Sequence, residues 1–456
     1  MMKHQNKVSV GHKDVTETLV NLLDKFVHLM EVNHVKREDA VALSVRNPLL
    51  FYAAYKGCKQ LGIIPIVMGE MKDPQKELAR IRVPLFCYEL DLDFCLERYE
   101  DIEQAPIPED AGAIVRTTGS VTGMPKFVVW SNKGIEYQSE QTVKTLGFTE
   151  KDVLFAAVPL WGAYGISLVN IIEKCGMDLV IPEHLRPRYV LRLIKESGAT
   201  LFEGTPSFYK IMLEHFSKNA GERNTVSNMR SWGCGGEILP ETVARKWFEI
   251  VKQPILDGYG LSEAGPNVAL NTCDEYCIGT VGKPLKGIEL RLNDKRELLV
   301  RSPSNMIGYY SSNSAENPID AQGWLNTGDL AEINEDGYVK IIGRTKNIIV
   351  IKEKNISPEY IEQKLRHYQD IQDVAVVGVR NENNGMRLAA VFISENHQNI
   401  NLKHVKRYAQ EHLEKDQVPF YYKQVDEFPM LANGKIDRVA LGKLCFTQKA
   451  KVVNRS

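Results

Sequence analysis

Val41-Ala42-Leu43-Ser44-Val45, then Asn47-Pro48, then a run ending at Leu61-Gly62, then Ile63 to Met68: this stretch decides the fold. Val41 to Val45 reads as a buried strand. Asn47 offers a side-chain cap and Pro48 takes the first helical position, so a helix runs to Leu61 and stops before Gly62. Ile63 to Met68 reads as a second strand. Strand, helix and strand in that order call for an α/β layer with a parallel sheet. Just upstream, Val15 to Val32 carries apolar residues at helical spacing.

The alternation resumes downstream. Val153 to Val158 is strand-like, Leu168 to Cys175 helical and Asp178 to Ile181 a short strand. Thr200 to Glu203 is another strand, Pro206 to Phe216 a helix, and Asn228 to Trp232 leads into Gly233-Cys234-Gly235-Gly236-Glu237, after which Pro240 opens a helix ending near Val251. From Cys277 to about Tyr310 short β segments and turns take over. Past Gly343-Arg344-Thr345-Lys346 the pattern changes again. Pro358 to Leu365 is helical, Val374 to Val379 and Leu388 to Ser394 form a hairpin around Asn381-Glu382-Asn383-Asn384-Gly385, and Leu402 to Leu413 is an amphipathic helix. The chain of 456 residues exceeds one ordinary core. We expect a large N-terminal domain (residues 1–345) of layered α/β subdomains plus a small β subdomain, followed by a small α+β C-terminal domain (346–456).

A formal net charge of -1 gives no electrostatic case for nucleic acid or an anionic membrane. No run approaches the roughly 18 to 20 apolar residues of a membrane span, and the polar start lacks the apolar core of a secretory signal. Cys273 and Cys277 are the only close pair among eight cysteines, with no partner pair or histidine to complete a zinc site. A reduced, cytoplasmic protein is expected.

Thr117-Thr118-Gly119-Ser120-Val121-Thr122-Gly123-Met124-Pro125-Lys126 follows an apolar run, Ala111 to Val115. Glycines let backbone N–H groups approach an anion, hydroxyls donate further hydrogen bonds and a lysine adds a point charge, so such loops hold phosphate. The Walker order is absent. A plain Gly/Ser/Thr surface turn is the competing reading. Asp257-Gly258-Tyr259-Gly260-Leu261-Ser262-Glu263 sets an aromatic face, a hydroxyl and a carboxylate close together, and Glu263 is a hard oxygen ligand suited to Mg²⁺ on a triphosphate. Asp329, ending Trp324-Leu325-Asn326-Thr327-Gly328-Asp329, has acceptors for two ribose hydroxyls, although an Asp at a turn is more often only a turn residue. Arg344 is placed to reach the same sugar or a phosphate. Leu431-Ala432-Asn433-Gly434-Lys435-Ile436-Asp437-Arg438 presents Lys435 beside a tight turn, either as an exposed lysine or as a cation carried to a distant site by domain movement.

Together and in this order these segments resemble the adenylate-forming superfamily of acyl- and aryl-CoA synthetases, peptide-synthetase adenylation domains and firefly luciferase. The resemblance runs from about Asp39 to Arg438. It implies that the large domain binds ATP and a small carboxylic acid, and that a mobile small domain closes over them. Thr117, Thr118, Gly119, Ser120, Thr122, Gly123 and Lys126 would clamp the pyrophosphate side. Gly235, Gly236 and Glu237 would line adenine, with Tyr259 and Gly260 against its face. Ser262 would face the α-phosphate, Glu263 bind Mg²⁺, and Asp329 and Arg344 contact ribose. Lys435 would be the catalytic lysine, Trp161, Gly162, Ala163 and Tyr164 would line the acid pocket, and Lys346 would sit at the hinge.

Three departures temper that transfer. The glycine loop is one residue longer than the usual pattern. Gly162 replaces a frequent gating histidine, and the aspartate that holds an α-ammonium is missing nearby. Glu353 replaces a glycine by the pantetheine tunnel, which bears on thioester formation. The leading expectation is adenylation of an acyl or aryl acid with transfer to the thiol of CoA or of an acyl or peptidyl carrier protein. The alternatives are an amino-acid-activating enzyme serving a carrier protein and a catalytically weak nucleotide-binding relative.

Overall fold

The structure, a computed structural model, describes residues 6–69, 73–117, 125–310, 317–351, 354–380, 386–394, 399–430 and 436–447. Thr118, Gly119, Ser120, Thr122 and Gly123 of the glycine loop, the 381–385 turn, Glu353 and Lys435 lie outside the described residues.

The strand–helix–strand unit forms as Ala40–Ser44, Pro48–Leu61 and Ile64–Val67, with the two strands paired in parallel. The Asn47 side-chain oxygen accepts from the N–H groups of Leu49 and Leu50 at 3.0 and 3.2 Å, covering two donors that the first helical turn cannot satisfy. Gly62, at φ 70°, ends the helix in the left-handed region that favours glycine. Phe51, Tyr52, Ala53, Ala54 and Tyr55 are all buried, so the first turns of this helix have no solvent stripe, and Lys56, Lys59 and Gln60 near its end reach the surface. The reason is its place between two sheets. Helix Thr16–Val32 packs beside it, and Gly57 makes that approach close: a Cβ there would lie 2.4 Å from the Phe26 ring.

One sheet has the order Gly308–Tyr309, Phe127–Ser131, Ala111–Arg116, Ile64–Val67, Ala40–Ser44, Leu85–Leu90, Asp93–Arg98. Its four central strands are parallel, and antiparallel strands close both edges. The second sheet runs in parallel from Val8–Val10 through Asp178–Ile181, Val153–Ala156, Leu201–Gly204 and Ser231–Cys234 to Leu256–Tyr259. The largest apolar core lies between the sheets, around helices Thr16–Val32, Pro48–Leu61 and Ala163–Cys175. Helices Pro187–Ser197, Pro206–Lys218 and Glu241–Val251 cover the outer face of the second sheet with an aromatic cluster that includes Phe202, Tyr209, Trp232 and Trp247. The helix expected from Leu168 begins earlier, at Ala163. Its first turn carries Ala163 and Gly165, too small to show an apolar period, and a Cβ at Gly165 would lie 2.1 Å from the Pro159 carbonyl.

A small antiparallel sheet, Glu289–Leu292, Glu297–Arg301, Leu325–Ile333 and Val339–Arg344, follows. Beyond the short turn Thr345–Asn347, the C-terminal unit builds on Ile371–Arg380, Met386–Ser394 and Tyr421–Gln424, backed by helices Pro358–Leu365, Leu402–His412 and Arg438–Thr447. Asp437 caps the last helix through Val439 and Ala440. Arg438 pairs with the buried Glu362 at 2.5 and 3.1 Å, fixing the stem from which Lys435 departs. An antiparallel bridge joins Met430 and Ile436, the described residues on either side of 431–435. Lys210 of helix Pro206–Lys218 reaches Asp373 of the C-terminal sheet at 2.9 Å, tying the two parts of the chain together.

Candidate active site

Loops at the carboxyl ends of parallel strands are where open α/β sheets bind ligands. Here a cavity of about 1160 Å³ opens at that edge of the second sheet, and Thr205, Gly235, Gly236, Gly260, Ser262 and Glu263 line it from the segments that follow three successive strands.

At one end stands the neck of the glycine loop. The Thr117 N–H donates to the Lys126 carbonyl at 2.8 Å, and the Lys126 N–H donates back to the Thr117 hydroxyl at 3.1 Å. Lys126 lies over the Tyr309 ring, 4.4 Å from its centre. The Tyr309 hydroxyl donates to Glu263 at 3.1 Å. Burial and the adjacent Glu263 carboxylate push the Tyr309 phenol upward, so it stays a donor. The Trp130 indole N–H holds the Ser262 carbonyl at 2.7 Å, and the Met306 N–H holds that of Glu263 at 2.8 Å. Residues in or just before strands of the first sheet therefore fix the 262–263 turn, which follows a strand of the second, beside the loop neck. Gly260 cannot be replaced cheaply, since a Cβ there would sit 1.5 Å from the Pro266 carbonyl. Arg80 and Arg116 add two cations to this wall.

Further along, Asp329 is the hub. Its strand lies directly opposite Arg344 in the antiparallel register. The Tyr259 hydroxyl donates to one carboxylate oxygen at 2.6 Å and Arg344 Nε to the other at 2.7 Å. Burial, then the nearby Asp329 charge, push the Tyr259 phenol far up and keep it protonated. The Thr327 hydroxyl, itself donating to Leu298, accepts from the Asp329 N–H at 3.0 Å. Asp329 is 2% exposed and sits behind Tyr259, Thr327 and Arg344, which form the cavity wall.

The remaining expected positions divide. Gly235 and Gly236 line the cavity, whereas Glu237 is exposed and outside its lining. Gly162, Ala163 and Tyr164 line it, whereas Trp161 packs on the core behind. Lys346 lines it beside Thr345. Among the described residues no group of three His, Cys, Asp or Glu could hold a metal alone. The lone Glu263 carboxylate still fits Mg²⁺, which binds through one or two carboxylates plus substrate phosphates. Sequence reasoning missed Tyr309, Trp130, Arg80, Arg116 and Glu203. Of these only Glu203 left a trace, as an acid ending the apolar strand that begins at Leu201.

A family model described as AMP-binding enzyme matches residues 69–310, and one described as AMP-binding enzyme C-terminal domain matches 360–435. The long-chain-fatty-acid–CoA ligase of Escherichia coli O157:H7 is 28% identical over 357 residues, which cover 75% of this chain but only 63% of that protein's length. The 2-succinylbenzoate–CoA ligase of Listeria innocua serovar 6a is 26% identical over 457 residues, covering 94% of each. The ATP-bound crystal structure of MatB from Rhodopseudomonas palustris superimposes with a TM-score of 0.84 at 20% identity, covering 97% of this chain and 96% of that one, a likeness of fold. Among the described residues no helix is long and apolar enough to cross a membrane.

Proposed function

The chain belongs to the AMP-binding enzyme family, and from that membership we propose that it adenylates a carboxylic acid with ATP and passes the acyl group to a pantetheine thiol. The observation that carries this reading is the convergence, on one cavity wall, of the loop neck at Thr117 and Lys126, the Ser262-Glu263 turn and the Tyr259–Asp329–Arg344 cluster. ATP would lie with its triphosphate toward Lys126 and Glu263, its ribose toward Asp329 and Arg344, and its base toward Gly235, Gly236 and Tyr259. A substrate carboxylate oxygen then attacks the α-phosphorus and pyrophosphate leaves. Two anions must meet, so the protein's part is positioning and charge neutralisation rather than a covalent nucleophile. Mg²⁺ on Glu263 would offset phosphate charge. Residues 346–456 form the mobile domain in this reading, turning at Lys346 and bringing Lys435 to the reacting phosphate.

For the second step, relatives named as CoA ligases support CoA as the acceptor. A carrier-protein thiol is the alternative. Glu353 bears on this step alone: Glu353→Gly is expected to speed thioester formation from preformed adenylate while leaving adenylation unaltered.

The reading is tested by pyrophosphate exchange into ATP across fatty, aryl and amino acids. Exchange with none of them, on folded protein, sinks it. The Tyr309 hydroxyl gives a finer check. Removing a group that orients a metal ligand typically weakens metal binding about tenfold. Tyr309→Phe is therefore expected to raise the Mg²⁺ concentration for half-maximal exchange by about that factor; an unchanged requirement would remove Glu263 from its assigned role.

A further inference from the structure

Glu203 is the penultimate residue of the strand Leu201–Gly204, between the neighbouring strands that carry Gly233 and Ala156. It is buried, yet it lines the cavity. A buried carboxyl is held by a counter-charge or it stays neutral. Among the described residues none supplies that charge: the carboxyl meets only the Tyr164 hydroxyl, which donates to it at 2.5 Å. Gly233 makes room for it, because a Cβ there would lie 2.2 Å from the carboxylate oxygen.

Two further titratable groups face it, with a third behind them. Tyr209 and Cys234 come from the helix and strand packed against it, and Asp257 lies beyond Cys234. Burial pushes the pKa of each of these, and that of Tyr164, well upward. Of these groups Glu203 is the carboxyl that lines the cavity. Burial raises it to about 7, partly opposed by the Tyr164 hydrogen bond. A pocket built for a plain alkyl tail would not bury an acid in its wall.

We propose that the acid substrate carries an amino group, and that Glu203, oriented by Tyr164 over Gly233, is the site that receives its ammonium. The inference rests on the adenylation reading and names the substrate class for it. Glu203 lies two strands across the sheet from Leu256 in register, and the Ser262 turn follows that strand, so both face the same cavity. A chain spanning the cavity between them carries its carboxylate at the Ser262 end and its ammonium at the Glu203 end. The ammonium supplies the missing counter-charge, and the carboxylate rejects a methyl group by staying desolvated and unpaired.

Pyrophosphate exchange tests this with matched acids: 6-aminohexanoate, 6-hydroxyhexanoate and heptanoate, and 4-(aminomethyl)benzoate against 4-ethylbenzoate, from pH 6 to 8.5. The amines are expected to exceed their methyl counterparts at least tenfold in kcat/KM. That advantage should grow as pH rises through about 7, where Glu203 ionises. Glu203→Gln is expected to abolish both the advantage and its pH dependence, mainly through KM. Tyr164→Phe removes the hydrogen bond that lowers Glu203, so the pH midpoint should move upward; this variant carries the test if Glu203→Gln does not fold. Exchange with the methyl-terminated acids and not the amines overturns this inference and leaves adenylation standing. An amine preference that survives Glu203→Gln also overturns it. Exchange with no acid overturns both.

Discussion

Lys435→Ala is expected to lower pyrophosphate exchange by about two to three orders of magnitude while shifting the Kd for ATP only a few-fold. The size follows from the chemistry. A carboxylate approaching an α-phosphate adds negative charge to a centre that is already anionic, and one preorganised charge at such a centre is worth about a hundred- to a thousandfold in rate. In the proposed reading ground-state ATP would also be held by the Lys126 neck, Glu263 and the Asp329 cluster, so its binding should survive. Lys435 lies outside the described residues, but the residues on either side of 431–435 are anchored. Met430 bridges Ile436, Asp437 caps the last helix, and Arg438 is locked onto Glu362. The alanine variant should therefore keep the C-terminal fold. Thioester formation from synthetic acyl-adenylate and CoA separates the roles: if the small domain turns the lysine away for that step, the rate stays within a few-fold of wild type. Unaltered exchange would strip Lys435 of its assignment.

How far the sequence alone carries is clearest residue by residue. The first strand–helix–strand unit is legible because its signals are local: an Asn cap, a first-turn Pro and a C-terminal Gly each act within a few residues. Helix Ala163–Cys175 is legible only from its second turn, since Ala163 and Gly165 are small for reasons of packing. At the site, residue types and order mark the nucleotide segments, yet their geometry depends on pairing across distance. Asp329 and Arg344 meet because the hairpin register sets them opposite each other. Tyr309 meets Glu263 because an edge strand of one sheet crosses to a loop of the other. Glu237 and Trp161 illustrate the converse: both belong to the right segments but fall outside the cavity lining, since adjacent residues in a turn or strand end point in different directions. Glu203 is the hardest to see, because an acid at a strand end is ordinary until burial gives it a role.

The Asp329 cluster makes the second large effect. Both carboxylate oxygens are occupied, by Tyr259 and by Arg344. A carboxylate accepts about four hydrogen bonds, so two sites remain for the ribose hydroxyls beside those taken by Tyr259 and Arg344. Asp329→Ala strips that acceptor from the half-buried Tyr259 and leaves its hydroxyl only Thr327, while Arg344, 43% exposed, can turn to water. We expect a stability loss of about 2 kcal/mol in chemical denaturation, and an ATP affinity lower by about 3 kcal/mol, roughly a hundredfold in Kd. A purely structural Asp329 would produce the first effect without the second, and deoxynucleotides distinguish the two cases. Wild-type protein should prefer ATP over both 2′-deoxy-ATP and 3′-deoxy-ATP by about tenfold, the worth of one hydrogen bond to a charged acceptor. Asp329→Asn keeps the side-chain shape and an oxygen for Tyr259 but loses the charge, so its preference should collapse toward unity. If the asparagine variant discriminates as sharply as wild type, the sugar is held elsewhere, and Asp329 serves only to aim Tyr259 and Arg344.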